Sequence, residues 1–444
     1  MNIAIVGFGL EGKAAYDYWR DKGSITVCDR ADITSLPESV KSQTGPDYLK
    51  GLEQYDLIVR SPSVKPSDIA QANGGVAILI KVTSCTNEFF KVSPTQNIIG
   101  VTGTKGKGTT STLIAKMLEA SGKRVYLGGN IGVPALDLLK QNIGSDVWVV
   151  LELSSFQLID IKYSPHIAVC LMVAPEHQDW HSSIEEYYEA KSQLFRYQET
   201  DDLAIYYANN PDSMQIASAG NGVKLPYYEN PGAVIDNGFV SIEGHAICEV
   251  SEFKLRGKHN WQNICAAVTA VWQVDHNIEA IRQVLTSFSG LEHRLEYVSQ
   301  IDGVSYFDDS FGTTPETAMV AIEAFNEPKV VILGGSDKGA CYDALAQCVA
   351  KNNVRKVILI GNQGPAIETA LNNAGFSETV LGGTSMNEII NTSRSNAQPG
   401  DVVLLSPGCA SFDMFKDYKD RGNQFKQVVR ELALSAEQSP APAE

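Results

Sequence analysis

The chain has 444 residues, of which 43% are hydrophobic and 20% charged, and its formal net charge is −16 at pH 7. That length exceeds what one hydrophobic core supports, and it predicts about three domains of roughly 150 residues each. The acidic balance argues against a nucleic-acid partner, because neutralising a phosphate backbone requires clustered Lys and Arg. A single anionic ligand is still compatible, since backbone N–H groups and a few local cations can hold a phosphate.

Other bulk features bear on where the protein works. No stretch reaches the about 18 apolar residues that a membrane span requires, and the first residues lack the basic region of a signal peptide. Eight cysteines are scattered without a C-x-x-C pair, which predicts buried, reduced thiols rather than disulfides or a zinc site. We therefore expect a cytoplasmic protein with no membrane insertion.

Strand-length apolar runs alternate with helical patterns along most of the chain, which is typical of α/β domains with mainly parallel sheets. The first series of predicted strands is NIAIVG, SITVCD, LIVRS and VAILI. A second series contains NIIGVTG, VWVVLELSS and IAVCLMV, and a third contains VSYFDDS, KVVILGG, KVILIG and VVLLSPG. These series predict domains at residues 1–92, 93–289 and 290–444, and the polar tail from about Ser435 is expected to be disordered.

A glycine loop follows the first predicted strand. Gly7-Phe-Gly9-Leu-Glu-Gly12 precedes a helical pattern, and Asp29 ends the next strand, as in the G-x-G-x-x-G fingerprint of dinucleotide-binding proteins. The glycines ensure only a tight turn and a close approach of the backbone to a diphosphate at a helix N-terminus. NAD, another nucleotide diphosphate and a purely structural turn are all compatible with this loop.

A second glycine loop carries a stronger signal. The segment Gly100–Thr110 joins a predicted strand to an amphipathic helix and nearly matches the phosphate-loop pattern G-x-x-x-x-G-K-[ST]. Backbone N–H groups of such a loop surround phosphate oxygens, and Lys107 adds a positive charge. Gly108 occupies the position of the usual magnesium-binding hydroxyl, so Thr109 or Thr110 is the nearest substitute. The predicted nucleotide-binding residues are Gly103, Thr104, Lys105, Gly106, Lys107, Gly108, Thr109 and Thr110.

Acidic and imidazole side chains follow the next two predicted strands. Glu152 lies near the end of VWVVLELSS, and His177 and Asp179 lie just beyond LMVA. Ligands of parallel α/β sheets collect at the carboxyl ends of the strands, and a nucleotide site needs carboxylates for magnesium. From its position alone, His177 is as consistent with a structural role as with a ligand role.

A set of motifs in fixed order resembles the Mur ligases, the ATP-dependent amide-forming enzymes of peptidoglycan precursor synthesis. The matching segments are VTGTKGKGTT, LELSSFQL, EHQDWH, YYEAKSQLF, GKHNWQNICAAVTA, LEHRLEYV, YFDDSFGTTPET, ILGGSDKG and LLSPGCASFDMFKDYKDRGNQF. The SSFQL segment and the last motif are most similar to members that add D-glutamate. The resemblance implies an enzyme that joins D-glutamate to UDP-N-acetylmuramoyl-L-alanine through an acyl phosphate and releases ADP and phosphate.

The resemblance also implies a domain order. A Rossmann-like domain binding the UDP substrate precedes a central P-loop ATPase-like domain with a parallel sheet, and a Rossmann-like C-terminal domain brings the amino acid. The first glycine loop is then assigned to the UDP part of the substrate and not to NAD. Positions similar to the family's substrate contacts in this part of the chain are Gly9, Leu10, Glu11, Asp29, Arg30, Ser61, Asn130, Ser154 and Gln157.

A metal-assisted mechanism is a further implication of the resemblance. Lys107 and two Mg²⁺ ions would offset the repulsion between the substrate carboxylate and the γ-phosphate of ATP. Glu152 and Thr109 resemble the ligands of the first ion, and His177 resembles a ligand of the second. Lys191, in YYEAKSQLF, matches the family lysine that reacts with CO₂ to form a carbamate, an anionic group able to orient the second ion.

The remaining motifs contain the other residues that the resemblance implies as ATP and amino-acid contacts, and one position that departs from the family pattern. The family's ATP contacts correspond to Asn260, Asn263, Arg294 and Asp309, and its amino-acid contacts to Thr313, Lys338, Ser411 and Tyr418. Where the family pattern reads D-S-K-A-T-N, this chain has Asp309-Ser310-Phe311-Gly312-Thr313-Thr314. Phenylalanine cannot supply the charge of a lysine, so either Lys105 or another cation compensates or ATP handling is altered.

Three alternatives accompany this prediction. Folylpolyglutamate synthases have a similar G-K-G-S loop, but theirs lies near the chain start, whereas a complete glycine-loop domain precedes this one. Another Mur ligase with a different acceptor amino acid is also compatible with the motifs. A nucleotide-binding regulatory protein without ligase chemistry is disfavoured by the presence of Lys107, Glu152, His177 and Lys191. We expect a bacterial monomer whose partners are small molecules.

Overall fold

The computed structural model describes residues 1–33, 36–37, 40–178, 180–255, 257–337 and 340–437. Its contacts divide the chain into two compact units, one formed by Met1–Phe253 with Lys258–Phe288 and the other by Lys254–Gly257 with the chain from Ser289 onward. Each unit is built from parallel strands alternating with helices, so the predicted α/β class is confirmed. Within the described ranges, no helix combines the length and apolar character needed to cross a membrane.

The first unit begins with a parallel five-stranded sheet of order β3-β2-β1-β4-β5. Side chains of the central strand β1 are fully buried from Ile3 to Val6, which is why an uninterrupted apolar run forms it. Its strands and helices are β1 (Asn2–Val6), α1 (Leu10–Trp19), β2 (Ser24–Asp29), β3 (Lys41–Thr44), β4 (Leu57–Arg60), α2 (Pro66–Ala72), β5 (Val82–Thr83) and α3 (Cys85–Val92).

The segment VAILI differs from its prediction as a strand. It forms the 3₁₀ helix Val76–Lys81, and only the two residues after it, in β5, pair with the sheet. Val76 and Ile80 are 77% and 85% exposed, so the run lacks the buried face that shapes a sheet strand. Within this first sheet, the strand that the sequence did not indicate is β3, whose residues KSQT are polar and mostly exposed.

A second parallel sheet follows in the same unit, with order β11-β10-β9-β6-β8-β7. A small antiparallel sheet, β12-β13-β14, accompanies it. The strands are β6 (Ile98–Thr102), β7 (Val125–Gly129), β8 (Trp148–Glu152), β9 (Ile167–Cys170), β10 (Leu203–Tyr207), β11 (Val223–Tyr227), β12 (Val234–Asp236), β13 (Phe239–Ile242) and β14 (His245–Glu249). The helices are α4 (Lys107–Ala120), α5 (Ser155–Leu158), α6 (Ile184–Arg196), α7 (Pro211–Ala217), α8 (His259–Trp272) and α9 (Ile278–Ser287).

Polar and apolar contacts join the two parts of this unit. The fully buried Arg60 guanidinium, at the end of β4, contacts Asp160 through Nε at 2.7 Å and also donates to the Phe156 carbonyl oxygen. Leu136, from a 3₁₀ turn after β7, is buried in the same apolar cluster as Trp19 of α1. These contacts hold the first sheet and α1 against the segments that follow β7 and β8.

The second unit has one six-stranded sheet of order β15-β16-β20-β17-β18-β19. Only the β15–β16 pair is antiparallel among the strand pairs that the structure describes in this sheet. Its strands are β15 (Glu296–Ile301), β16 (Val304–Asp308), β17 (Lys329–Gly334), β18 (Val354–Ile360), β19 (Thr379–Leu381) and β20 (Val402–Leu405). Its helices are α10 (Pro315–Glu323), α11 (Asp343–Lys351), α12 (Gly364–Asn373), α13 (Met386–Ser395) and α14 (Tyr418–Glu437). Helix α14 continues past Ser435, where the polar tail was predicted to begin.

Candidate active site

The second glycine loop connects β6 to α4, as the phosphate-loop pattern predicts. Gly103 and Gly106 have φ angles of 147° and 86°, a backbone region that favours glycine. A Cβ atom at Gly106 would lie 2.1 Å from Asn263 Oδ1, and one at Gly103 would lie 2.6 Å from Leu171 Cβ. The loop is therefore closely packed against its neighbours and leads into the positive N-terminal end of a helix.

Two lysine ammonium groups meet at one carbonyl of this loop. Lys107 Nζ donates to the carbonyl oxygens of Gly103 and Thr104, each at 3.0 Å, and Lys191 Nζ donates to the same Gly103 oxygen at 2.9 Å. Lys191 is 1% exposed. Burial, helped by the nearby Lys107 charge, lowers the pKa of Lys191 to about 7. A substantial fraction of the Lys191 side chains therefore carries a neutral, nucleophilic amine at neutral pH.

Tyr187 is a residue of this site that the sequence reasoning missed. Its hydroxyl lies 2.9 Å from Thr104 Oγ1, and its ring centroid lies 4.5 Å from Lys191 Nζ. Thr104 Oγ1 also accepts a hydrogen bond from the Ala174 N–H at 2.9 Å. The available signal was the spacing on α6, because residues four apart on a helix share one face.

Glu152 is the last residue of β8 and is buried. Its Oε1 accepts a hydrogen bond from Asn130 Nδ2 at 3.0 Å, and its carbonyl oxygen accepts from the Asn130 N–H at 2.8 Å. A carboxylate at the carboxyl end of a parallel strand lies where the ligands of such sheets collect, and its oxygens are of the type that Mg²⁺ prefers. Asn130, predicted to contact the substrate, therefore contacts Glu152.

Two histidines follow β9 in different environments. His177 is exposed, has a φ of 56°, and lies with its ring centroid 4.7 Å from that of Phe156. His181 is buried, and its Nε2 lies 2.9 Å from Ser155 Oγ. The left-handed backbone at His177 is unfavourable for a residue with a Cβ atom and is typical of functional positions. Asp179 lies outside the described residues.

The remaining residues predicted at the nucleotide are divided between exposed and buried positions. Thr109 is partly exposed, whereas Thr110 is fully buried, and its Oγ1 has no hydrogen-bond partner among the residues that the structure describes. Asn263 Nδ2 donates to Asn260 Oδ1 at 2.9 Å in the first turns of α8. The exposed Lys105 and the buried Gly108 lie on either side of Gly106 and Lys107. Thr109 is thus the more accessible of the two candidate hydroxyls.

The first glycine loop is closed by side chains from neighbouring strands. Ser61 Oγ donates to the Gly7 carbonyl oxygen at 2.8 Å, and Asp29 accepts hydrogen bonds from the N–H groups of Phe8 and Ala31 at 2.6 and 2.9 Å. Asp29 and Ser61 therefore shape the loop in this structure. Three residues predicted to contact the substrate, Gly9, Leu10 and Arg30, are exposed around it.

The helix after this loop is connected to α5, next to Glu152 in sequence. Gln157 Nε2 donates to Glu11 Oε1 at 2.7 Å, and Gln157 Oε1 accepts from the Ser154 N–H at 3.0 Å. Ser154 and Gln157 also form the capping box of α5. Burial raises the pKa of the Glu11 carboxyl above its ordinary value. Predicted substrate contacts from the two sheets are thus brought together.

The second unit holds a buried carboxyl at the end of β16. Asp309 Oδ2 accepts from Ser406 Oγ at 2.6 Å, and its Oδ1 accepts from the Leu295 N–H at 3.2 Å. Burial is the main cause that raises the pKa of Asp309 to about 7. The guanidinium carbon of Arg294 lies 3.9 Å from the ring centroid of Phe311. The Phe311 ring therefore stacks against a neighbouring cation instead of supplying one.

The predicted amino-acid contacts are only partly brought together in this unit. The Tyr418 ring packs edge-on against Phe311 with centroids 5.2 Å apart. Thr313 is partly buried, Ser411 is buried at the turn before α14, and Lys338 lies outside the described residues. Arg421, which the sequence reasoning missed, is fully buried and donates to the Ser310 carbonyl oxygen at 2.8 Å.

The fold and the loop define the class: an α/β protein with a strand, a phosphate-type glycine loop and a helix in succession. A family model described as the Mur ligase middle domain matches residues 101–271, and one described as the Mur ligase, glutamate ligase domain, matches residues 293–409. The chain belongs to the Mur ligase family.

Individual relatives align over almost the whole chain. A UDP-N-acetylmuramoylalanine–D-glutamate ligase from Clostridium kluyveri is 35% identical, with 97% of this chain and 96% of the relative covered. The enzyme of the same name from Symbiobacterium thermophilum is 37% identical, with 97% and 98% covered.

Solved structures share the fold at much lower identity. UDP-N-acetylmuramate-alanine ligase MurC from Thermotoga maritima is 17% identical with a TM-score of 0.58, covering 97% of this chain and 99% of its own. MurF ligase from Thermotoga maritima, in complex with ADP, is 16% identical with a TM-score of 0.57, covering 98% and 94%. These likenesses show the fold alone.

Proposed function

We propose that this protein is an ATP-dependent ligase that joins D-glutamate to UDP-N-acetylmuramoyl-L-alanine in peptidoglycan precursor synthesis. The observation that carries the proposal is the arrangement at Gly103, where Lys107 and the buried Lys191 share one carbonyl oxygen of a phosphate-type loop. The names of relatives such as the enzyme from Clostridium kluyveri support D-glutamate as the acceptor. We also propose that the enzyme is monomeric and works in the bacterial cytoplasm.

The reaction has two bond-forming steps. The substrate carboxylate oxygen bonds to the γ-phosphorus of ATP while ADP leaves, giving an acyl phosphate. The amine of D-glutamate then bonds to the acyl carbon, phosphate leaves, and a proton is released. Lys107 donates to phosphate oxygens and offsets the repulsion between the two anionic reactants. The loop N–H groups and the N-terminus of α4 act in the same direction.

The donor set fits magnesium. Glu152 supplies a buried carboxylate and Thr109 a partly exposed hydroxyl, and both are the oxygen ligands that Mg²⁺ prefers. His177 and the carbamate of Lys191 are proposed for a second ion. In that proposal the neutral amine of Lys191 bonds to the carbon of CO₂ and loses a proton, which replaces a neutral amine with an anionic carbamate. Bound Mg²⁺ ions neutralise charge on the phosphate oxygens.

The other roles follow the domain order proposed above, with substrate, nucleotide and amino-acid domains at residues 1–92, 93–289 and 290–444. The UDP part of the substrate contacts the first glycine loop and the residues around it, including Glu11 and Gln157. Asn260, Asn263, Arg294 and Asp309 contact ATP. Thr313, Lys338, Ser411 and Tyr418 contact D-glutamate.

Phosphate release from ATP tests this proposal. The purified protein is incubated with Mg·ATP and UDP-N-acetylmuramoyl-L-alanine, with D-glutamate or with L-glutamate, L-alanine, L-lysine or diaminopimelate. We expect release that depends on both substrates and is fastest with D-glutamate. Release with another amino acid but not with D-glutamate would contradict the acceptor, and release with none would contradict the ligase reaction itself.

A further inference from the structure

Arg294 lies between two residues whose backbone is left-handed. His293 and Leu295 have φ angles of 63° and 44°, which are unfavourable for residues with a Cβ atom. Such conformations persist only where the surrounding structure imposes them, and they cluster at functional positions. The segment that carries Arg294 therefore has a backbone conformation that its surroundings must hold in place.

Buried polar contacts hold that segment in place. His293 Nδ1 lies 2.7 Å from Asp308 Oδ2, and both side chains are buried. Lys426, which is 5% exposed, contacts Glu292 at 2.6 Å and Glu296 at 3.1 Å on either side of the strained residues. The backbone on both sides of Arg294 is thus anchored to β16 and α14.

The Phe311 ring contacts the guanidinium of Arg294. The ring centroid lies 3.9 Å from the guanidinium carbon of Arg294, well within the range of a cation–π contact. The Phe311 ring is 38% exposed, so burial in a core does not explain its position. Its own N–H donates to the His293 carbonyl oxygen at 3.0 Å, which ties the ring to the segment that carries Arg294.

Tyr418 contacts the Phe311 ring, and Arg421 contacts the preceding residue, Ser310. The Tyr418 ring meets Phe311 edge-on at 86°. The Tyr418 carbonyl oxygen accepts from Ser310 Oγ at 2.8 Å, and the buried Arg421 donates to the same hydroxyl at 2.9 Å. The Phe311 ring therefore contacts both a guanidinium and a tyrosine whose backbone is linked through Ser310 to the buried Arg421.

We propose that Phe311 is a positioning residue: its ring holds the Arg294 guanidinium in place and so orients it to bind the phosphate groups of the nucleotide. A guanidinium stacked by its face donates N–H bonds in its own plane, the geometry that matches phosphate oxygens. This inference rests on the proposed ATP contact of Arg294.

Equilibrium binding of Mg·ADP, measured by titration calorimetry, tests this role without requiring turnover. Phe311→Leu removes the ring, and we expect about fivefold weaker binding, the effect of losing one exposed cation–π contact. Phe311→Trp keeps an aromatic face and is expected to bind within about twofold of the unaltered protein. The control is Tyr297→Leu, which removes a 46% exposed ring that packs on Phe307, and should leave binding unchanged.

A double variant separates positioning from a general structural effect. If Phe311 acts through Arg294, adding Phe311→Leu to Arg294→Ala weakens Mg·ADP binding no further. Equal losses in both backgrounds, or unchanged binding by Phe311→Leu alone, would overturn the inference. If the unaltered protein binds Mg·ADP but does not use D-glutamate, the acceptor proposal fails and this inference stands. No binding of Mg·ADP by the unaltered protein would overturn both.

Discussion

Lys191 gives the clearest expectation at the scale of single residues. Lys191→Ala should lower phosphate release by about a hundredfold, because a group that orients a catalytic ion is lost. Added formate or acetate should restore part of the rate by occupying the place of the carbamate. Lys116→Ala, which changes an exposed lysine of α4, is the matched control. Full activity of Lys191→Ala would remove Lys191 from the mechanism.

The lowered pKa of Lys191 predicts how the activity should change with pH. Only the neutral amine reacts with CO₂, and burial lowers the pKa of Lys191 from 10.5 to about 7. As the pH falls below 7, protonation of the unmodified amine should therefore reduce carbamate formation. When bicarbonate is limiting, activity should fall because less carbamate forms, and added bicarbonate should restore activity. Activity that does not respond to bicarbonate at any pH would contradict the carbamate.

The sequence predicted residues of the proposed site but not the contacts that surround them. Lys191 is recognisable from a motif, but its burial and its contact with Gly103, 88 positions away in the chain, follow only from the fold. Tyr187 and Arg421 were missed for the same reason, since their partners Thr104 and Ser310 are 83 and 111 positions away. Local patterns predict which residues end a strand or begin a helix; they carry little information on contacts across such distances.

At the scale of elements, Arg60 shows how a strand end joins two sheets. It closes an apolar strand, and its side chain is fully buried against Asp160, which follows α5. Nothing in the run LIVRS distinguishes this arginine from one that reaches solvent. The polar β3 and the VAILI run, in which Val76 and Ile80 are exposed, illustrate the same limit, because burial of a strand is decided by what packs on it.

Removing this buried ion pair should destabilise the first unit. Arg60→Ala leaves the Asp160 carboxylate, whose side chain is 20% exposed, without its cation, and we expect a loss of about 3 kcal/mol in the free energy of unfolding. Urea denaturation followed by circular dichroism measures it. Arg124→Ala is the control: it removes an exposed pair with Asp146 and should cost less than about 1 kcal/mol. Equal losses would show that the Arg60 contact contributes no more than a surface pair.

At the scale of the whole molecule, alternation of apolar runs and helical patterns was sufficient to predict the α/β class. The order of the strands within each sheet could not be predicted from this alternation. The second parallel sheet of the first unit has the order β11-β10-β9-β6-β8-β7, so neighbours in the sheet are not always neighbours in the chain. Their pairing depends on packing between residues that are far apart in the sequence. The ordered motifs identified the family because they span the molecule, not because any one of them is specific.

The reactivity of the cysteine thiols tests the burial of side chains in both compact units. All eight are free, and Cys341 alone among them is exposed. Thiol reagents attack accessible thiolates, while burial raises the pKa of Cys170 and Cys248 to about 11. Without reductant, about one thiol should react rapidly with an aromatic disulfide in the native protein, and all eight should react in guanidinium chloride.

The variant Cys341→Ser separates the exposed thiol from the buried ones. It should abolish the rapid native reaction and leave seven reactive thiols after unfolding, the seven that are buried in the native fold. Rapid reaction of several thiols in the native state would show that the sheets do not bury these side chains. Fewer than eight in the unfolded wild-type chain would reveal a disulfide, contrary to both the sequence and the structure. The count therefore tests burial in both compact units, because Cys28, Cys85, Cys170, Cys248 and Cys265 belong to one and Cys348 and Cys409 to the other.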